Sequence, residues 1–389
     1  MPAFSNTQRS LFDTAEHEAV YQPRPADLFR PQRIIFTKGS ITTPERRSLA
    51  ERICAAYPNA EVEEQLGTAH NKINLGISDP LQLHYEGRRT LVLGEHNSAL
   101  GRSDEEGNTC PNFWHFSPYG YCPYGCSYCY LAGTQGIRFS PTVKIFMNLD
   151  EILAQVNKQA RKIGRQEAFY LGKLQDGMAL DPLTGYSRVM IPFFAKHPFA
   201  RLRVLSKSAD FENVLDLDHG GHTVLCWSLN PPEVRKDYEV VTPPIDERIA
   251  AMRKCADAGY PIRVMLMPII PVPGWRQAYG TLLEELLTQV KLDRITLGGV
   301  CSYGPALNVT HEKLGNDNAI VKSLALINDG PDDGRTRYSH AMRAELYGFM
   351  RDTIRRFQPD LTIALCMESR AIAEEVGVAE NIGKCNCVL

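Results

Sequence analysis

The chain has no run approaching roughly 18 consecutive apolar residues, so it contains no candidate membrane-spanning helix. Neither sign of charge dominates: 43 Lys and Arg stand against 45 Asp and Glu in 389 residues, a net charge of -2. That balance gives no support for a large nucleic-acid footprint, although a local basic groove is compatible with it. From Met1 to Pro25 the sequence is polar and lacks the apolar core of a secretory signal, so a cytoplasmic location is expected. The closing Asn386-Cys387-Val388-Leu389 puts its cysteine one place too late for prenylation. There is no internal repeat and no low-complexity tract. With 43% hydrophobic and 23% charged residues, the composition excludes disorder, collagen-like repeats and coiled coil.

What the chain does have is cysteine. Eleven of them, with no secretory signal, point to metal or redox chemistry rather than a disulfide framework. The length suggests two domains, or one large α/β barrel with an appendage. The first part, residues 1–105, reads as a small α/β unit. It has strands at Arg33–Phe36 and Thr90–Leu93, a helix from Thr43 to Ala56, and a polar connector from Glu95 to Asn108. After it, short apolar runs alternate with helical patterns. The runs are Ala168–Leu171, Leu202–Leu205, Thr223–Cys226, Ile262–Leu266, Arg294–Leu297 and Leu361–Leu365. The helices are Leu149 to Ile163, Glu247 to Ala258, Tyr279 to Val290 and Arg343 to Phe357. Such alternation predicts an α/β fold, a partial (β/α) TIM-type barrel of about six units over residues 106–370. In that fold, chemistry collects at the C-terminal ends of the strands. Residues 371–389 form a cysteine-containing tail.

The strongest motif is Cys122-Pro123-Tyr124-Gly125-Cys126-Ser127-Tyr128-Cys129. Three thiolates at this CxxxCxxC spacing can hold three irons of a [4Fe–4S] cube and leave the fourth iron open to a ligand. The competing reading is a zinc site, which needs a fourth ligand from elsewhere, and His115 is available for it.

This triplet resembles that of the radical S-adenosylmethionine superfamily. Cys126-x-Tyr128-Cys129-Tyr130-Leu131 is similar, more narrowly, to the spore photoproduct lyase family. So are Thr68-Ala69-His70-Asn71-Lys72-Ile73, Leu205-Ser206-Lys207-Ser208, Cys226-Trp227-Ser228-Leu229-Asn230-Pro231, Ala258-Gly259-Tyr260-Pro261 and Pro268-Ile269-Ile270, in the same order. The resemblance implies a [4Fe–4S] cluster on Cys122, Cys126 and Cys129, and S-adenosylmethionine chelated at the open iron. One electron from the cluster then cleaves a C–S bond, usually giving a 5′-deoxyadenosyl radical. An external reductant, flavodoxin or ferredoxin, must supply that electron. Tyr128, Tyr130, Asp176, Lys207 and Ser228 would lie at the cofactor, with the Tyr128 ring against adenine.

The resemblance breaks where the DNA-repair lyase carries the cysteine that returns a hydrogen atom to its product radical. Lys173 stands there. An ammonium N–H bond is far stronger than a thiol S–H bond, so a lysine cannot make that donation. The sequence therefore ranks a small molecule or another non-DNA substrate ahead of DNA. A second group of thiols is the other clue. Cys366 follows the last expected strand, and Lys384-Cys385-Asn386-Cys387 lies in the tail. Three readings stand: incidental thiols on an exposed, frayed tail; a tail folded over the barrel mouth, supplying hydrogen donors or ligands to a second cluster; or thiols that hold a soft substrate atom. The last has a precedent in an arsinothricin-forming radical enzyme, which transfers a 3-amino-3-carboxypropyl group to arsenite. A non-catalytic iron–sulfur or zinc protein is the remaining alternative. Cys110 matches no ligand spacing, and Glu368 reads as a salt-bridged strand end or a base.

Overall fold

The computed structural model of the protein describes residues 14–105, 107–325 and 330–389, so Met1–Asp13 of the polar N-terminal stretch lie outside the described residues. The chain divides into two compact units. One comprises Met1–Gly101, Trp114–Tyr124 and Gln135–Thr223; the other comprises Arg102–Phe113, Gly125–Thr134 and Val224–Leu389. Both are mixed α/β with mainly parallel strands.

In the first unit the strands are β1 (Arg33–Thr37), β2 (Glu61–Gln65), β3 (Thr90–Gly94), β4 (Leu100–Arg102), β5 (Trp114–Phe116), β6 (Tyr119–Gly120), β7 (Val143–Phe146), β8 (Glu167–Leu171) and β9 (Ala200–Ser206). One sheet has the order β2-β1-β3-β7-β6, parallel except where β6 meets β7. Its central strands are mostly apolar and buried, as coverage of both faces requires, with Lys144 in β7 the buried exception. Thr43 caps the helix Pro44–Ala55 by accepting from the Arg46 amide at 3.2 Å, with Pro44 at the first helical position, where its missing N–H does no harm. The helix Leu149–Ile163 buries Leu149, Ile152, Leu153, Val156 and Ala160 on one stripe and ends at left-handed Gly164. Strand β4 falls inside the stretch read as a connector. In a second parallel run, β5 pairs with β8 and β8 with β9.

The second unit contributes β10 (Thr223–Ser228), β11 (Ile262–Leu266), β12 (Arg294–Leu297), β13 (Cys301–Ser302), β14 (Thr336–Arg337) and β15 (Thr362–Leu365). Strands β10, β11, β12 and β15 pair in that order, all parallel. Their register sets Cys226, Arg263, Arg294 and Thr362 in one row, and Ser228, Met265, Thr296 and Ala364 in the row two residues further along. A period of two sends both rows to the same face of the sheet. Trp227, Val264, Ile295 and Ile363 point to the opposite face and are fully buried. All six strands expected from the apolar runs are present, divided between the two units. Among the described residues, no helix is long and apolar enough to cross a membrane.

Candidate active site and a cluster of buried thiols

The cysteine loop follows β6. Tyr121, just before the first cysteine, and Gly125, between the first two, take left-handed backbone conformations (φ 59° and 63°) that turn the chain sharply there. Past Gly125 the loop is pinned within the second unit. The Ser127 amide donates to the Tyr238 carbonyl at 2.9 Å, Thr310 Oγ1 donates to the Ser127 carbonyl at 3.0 Å, and the Cys129 amide donates to the Cys126 carbonyl at 3.2 Å. A Cβ on Gly133 would come within 2.2 Å of the Ala306 amide nitrogen, so only glycine lets the following turn (Tyr130–Gly133) approach the helix Gly304–Leu314 so closely. Cys126 is buried, Cys122 and Cys129 are half-buried, and none is in a disulfide.

The Tyr128 phenol donates to Glu239. Glu239 is fully buried and also accepts from Asn230 Nδ2 at 2.9 Å and from the Arg248 guanidinium at 3.1 and 3.2 Å. Asn230 in turn accepts from the Tyr279 hydroxyl at 2.7 Å. Burial first, and the Glu239 carboxylate second, push the Tyr128 phenol well above its ordinary pKa, so it stays a neutral donor. At the C-terminal end of β10, the Ser228 carbonyl accepts from Arg248 Nη1 at 3.0 Å. The Ser228 hydroxyl is buried with no hydrogen-bond partner among the described residues, and neither has the Thr296 hydroxyl in the same row.

In the first unit, Asp176 joins the turn after β8 to the end of β9. Its Oδ1 accepts from the Met178 and Ala179 amides at 3.0 and 2.9 Å and from Ser206 Oγ at 2.6 Å, and its Oδ2 accepts from the Lys207 amide at 2.7 Å. The Asp176 carboxylate thus fixes the backbone of half-buried Lys207. Lys173 follows Gly172, whose φ of 141° and close approach to Leu205 exclude a larger residue there. Burial, and then the nearby Lys173 charge, lower His115 to about 4, so His115 is neutral at physiological pH.

The C-terminal thiols are not on an exposed tail: Cys385 and Cys387 are 3% and 6% exposed. Two guanidiniums on the inner sheet row hold this segment by its carbonyls. Arg294 donates to those of Lys384, Cys385 and Leu389 at 3.1, 2.9 and 3.1 Å, and Arg263 donates to that of Val388 at 2.9 Å. A short polar sequence is thereby buried because its backbone, not its side chains, supplies the partners. Cys385 Sγ lies 4.0 Å from Cys366 Sγ and 3.8 Å from Cys387 Sγ. Cys110, which no spacing argument singled out, completes the group at 4.0 Å from Cys366. Hydrogen bonds from the other three thiols depress Cys385, whereas its neighbours Cys366 and Cys387 are raised. Glu368 is ion-paired with Arg343 at 2.6 Å and accepts from the Tyr347 hydroxyl at 2.7 Å, the salt-bridged strand end of the two sequence readings.

Residues 29–297 match the family model for spore photoproduct lyase, well over half of the chain. The chain belongs to the spore photoproduct lyase family. It is 29% identical over 261 residues to the spore photoproduct lyase of Bacillus subtilis, covering 66% of this chain and 73% of the relative. To that of a Geobacillus species it is 30% identical over 270 residues, covering 68% and 75%. A solved spore photoproduct lyase complexed with dinucleoside spore photoproduct superposes with a TM-score of 0.73 at 25% identity, over 87% of this chain and 99% of the other. A spore photoproduct lyase mutant with bound AdoMet and dinucleoside spore photoproduct matches the fold with a TM-score of 0.73 at 24% identity. This protein is a radical S-adenosylmethionine enzyme whose cofactors are a [4Fe–4S] cluster and S-adenosylmethionine. Its own residues fit them: three thiols outside any disulfide in one loop, and an unpartnered buried hydroxyl on Ser228 at a strand end. The match ends at β12, so Cys366, Cys385 and Cys387 lie beyond it.

Proposed function

We propose that this protein is a radical S-adenosylmethionine lyase acting on a dimeric pyrimidine photoproduct of DNA. The observation that carries the reading is membership of the spore photoproduct lyase family, together with the likeness to a solved lyase in complex with its dinucleoside photoproduct. On that support we rank DNA ahead of the small-molecule or other non-DNA substrate expected from the sequence. We read the six parallel strands as an incomplete (β/α) barrel of the kind the family uses. When bound and reduced, the cluster supplies the electron that breaks a C–S bond of S-adenosylmethionine. Cys122, Cys126 and Cys129 are proposed to hold it, and flavodoxin or ferredoxin to reduce it. The Tyr128–Glu239–Arg248 network fixes the loop between the second and third ligands. The Ser228 hydroxyl and the Lys207 side chain are the proposed contacts to S-adenosylmethionine. Asp176 is assigned a positioning role, since its carboxylate is already occupied by the turn it holds.

Lys173 favours a second reading, in which the substrate is not DNA, because an ammonium cannot return a hydrogen atom to a product radical. One anaerobic experiment separates the two. The reduced enzyme is incubated with S-adenosylmethionine and dinucleoside spore photoproduct, and products are identified by mass spectrometry, with arsenite in a parallel arm. Thymine-containing repair product with 5′-deoxyadenosine supports the lyase reading. Cleavage of S-adenosylmethionine with the photoproduct untouched favours the second. 5′-Methylthioadenosine that depends on arsenite assigns aminocarboxypropyl transfer instead.

A further inference from the structure

Four thiols from three separate segments of the second unit meet in its interior: Cys110 before β5, Cys366 after β15, and Cys385 and Cys387 in the C-terminal segment. All four are buried. The sulfurs of Cys110, Cys366 and Cys385 lie within 4.8 Å of one another. Cys366 is 4.0 Å from both Cys110 and Cys385, and Cys387 is 3.8 Å from Cys385. A disulfide needs sulfurs about 2 Å apart, so these are not bonded pairs. Four thiolates on one tetrahedral ion, with metal–sulfur bonds of about 2.3 Å, stand about 3.8 Å apart. Ligands to a cubane cluster attach to different irons and are spread far wider. Cys110, Cys366 and Cys385 have the spacing of ligands to a single ion, and Cys387, 3.8 Å from Cys385, is next to them as the fourth.

The surroundings suit such an ion. A divalent metal on four thiolates carries a net charge of -2, and the guanidiniums of Arg294 and Arg263 hold the carbonyls of the very segment that carries Cys385 and Cys387. The Cys110 loop is tied to the Cys366 strand end by two backbone contacts. The Thr109 amide donates to the Glu368 carbonyl at 2.7 Å, and the Met367 amide donates to Cys110 Sγ at 3.1 Å. An amide aimed at a sulfur is a partner suited to a thiolate. Met367, next to Cys366, is held at φ 55°, a left-handed conformation that a methionine rarely adopts.

We propose that Cys110, Cys366, Cys385 and Cys387 form a structural tetrathiolate zinc site, separate from the cluster that binds S-adenosylmethionine. Binding replaces the S–H protons with four Zn–S bonds and releases those protons to solvent; no electron moves. The role is to clamp residues 381–389 and the Cys110 loop to the end of β15. Three of the four ligands lie beyond residues 29–297, the stretch that matches the family model. The site does not depend on which substrate the enzyme takes.

The test is metal content of the full-length protein, purified anaerobically from cells grown with trace zinc and iron. About one zinc per chain is expected besides the iron of the cluster. Cys385→Ser should lose that zinc and keep the iron and its visible spectrum, while Cys54→Ser, at a half-buried thiol in the helix Pro44–Ala55 of the first unit, should keep both. Should Cys385→Ser fail to fold, wild-type protein with Co²⁺ exchanged for zinc gives the second measurement. The strong visible bands of a tetrahedral tetrathiolate are expected, and they should weaken in Cys387→Ser. Protein with less than a fifth of an equivalent of zinc, four thiols that all react with a thiol reagent after mild unfolding, and no cobalt bands would overturn the proposal. So would iron and sulfide in amounts that require a second cluster.

Discussion

The phenol of Tyr128, between the second and third cysteines of the loop, donates to the fully buried carboxylate of Glu239. Glu239 is in turn neutralised by Arg248, and neither charged side chain has measurable exposure. A buried ion pair is weak evidence for stability, but breaking one from a single side is costly, because it leaves an uncompensated charge in low dielectric. Glu239→Gln should therefore destabilise the protein by about 3–5 kcal/mol. Tyr128→Phe, which removes one hydrogen bond to a charged acceptor, should lose about 1.5–3 kcal/mol. Denaturant melts of both variants, with iron content measured alongside, check this. Full stability in Glu239→Gln would show that the network does not hold the loop.

The Ser228 hydroxyl gives the opposite expectation. It is buried and has no partner among the described residues, so the apo protein gains nothing from it. Ser228→Ala should leave stability unchanged or slightly raised, within about 1 kcal/mol. If the hydroxyl serves S-adenosylmethionine, the same variant should bind that ligand roughly five- to ten-fold more weakly, the worth of one hydrogen bond. Calorimetric titration of cluster-loaded protein reads the second quantity and a thermal melt the first. Unchanged affinity removes Ser228 from the cofactor site.

Much of this arrangement was legible in the sequence, for identifiable reasons. Periodicity marked the helix Leu149–Ile163 to its ends, because its buried stripe recurs every three to four residues and Gly164 stops it. Spacing marked Cys122, Cys126 and Cys129, because they are neighbours along the chain. Strand β2 was missed. Glu61-Val62-Glu63-Glu64-Gln65 is an exposed edge whose backbone pairing to β1, not its side chains, makes it a strand. Cys110 was missed as a partner of Cys366 because 256 positions separate them and only the fold brings them together. The Glu239–Arg248 pair leaves no periodic trace either, since a buried charge pair looks like any surface one in sequence.

Lys144 makes a pH prediction. It is 5% exposed, and its amine donates to the Ser140 and Thr142 carbonyls at 2.9 and 2.8 Å, with no carboxylate paired to it among the described residues. Burial lowers its pKa from 10.5 to about 7. Between those values the unfolded chain holds a proton that the native state has released, so stability rises with pH across that window. Below about pH 7 both states are protonated, and this contribution to the slope vanishes. Lys144→Met should flatten the rise between pH 7 and 9 relative to wild type in denaturant midpoints taken at half-unit steps. Parallel slopes in the two proteins would mean that Lys144 remains charged in the native state.

Arg294 carries the last expectation, because one guanidinium reaches the carbonyls of Lys384, Cys385 and Leu389. Hydrogen bonds from a charged donor are worth about 1.5–3 kcal/mol net, well above neutral ones. Losing them in Arg294→Met should free residues 381–389 locally before the rest of the unit unfolds, since the sheet pairing of β12 with β11 and β15 does not use the side chain. About 2 kcal/mol of local stability corresponds to roughly thirty-fold faster amide exchange in this segment, with the core of β10–β12 unaffected. Cys385 and Cys387 should then react with a thiol reagent that wild-type protein resists. If exchange instead rises across the whole second unit, the segment is part of the global folding unit, and Arg294 stabilises the sheet rather than the thiols.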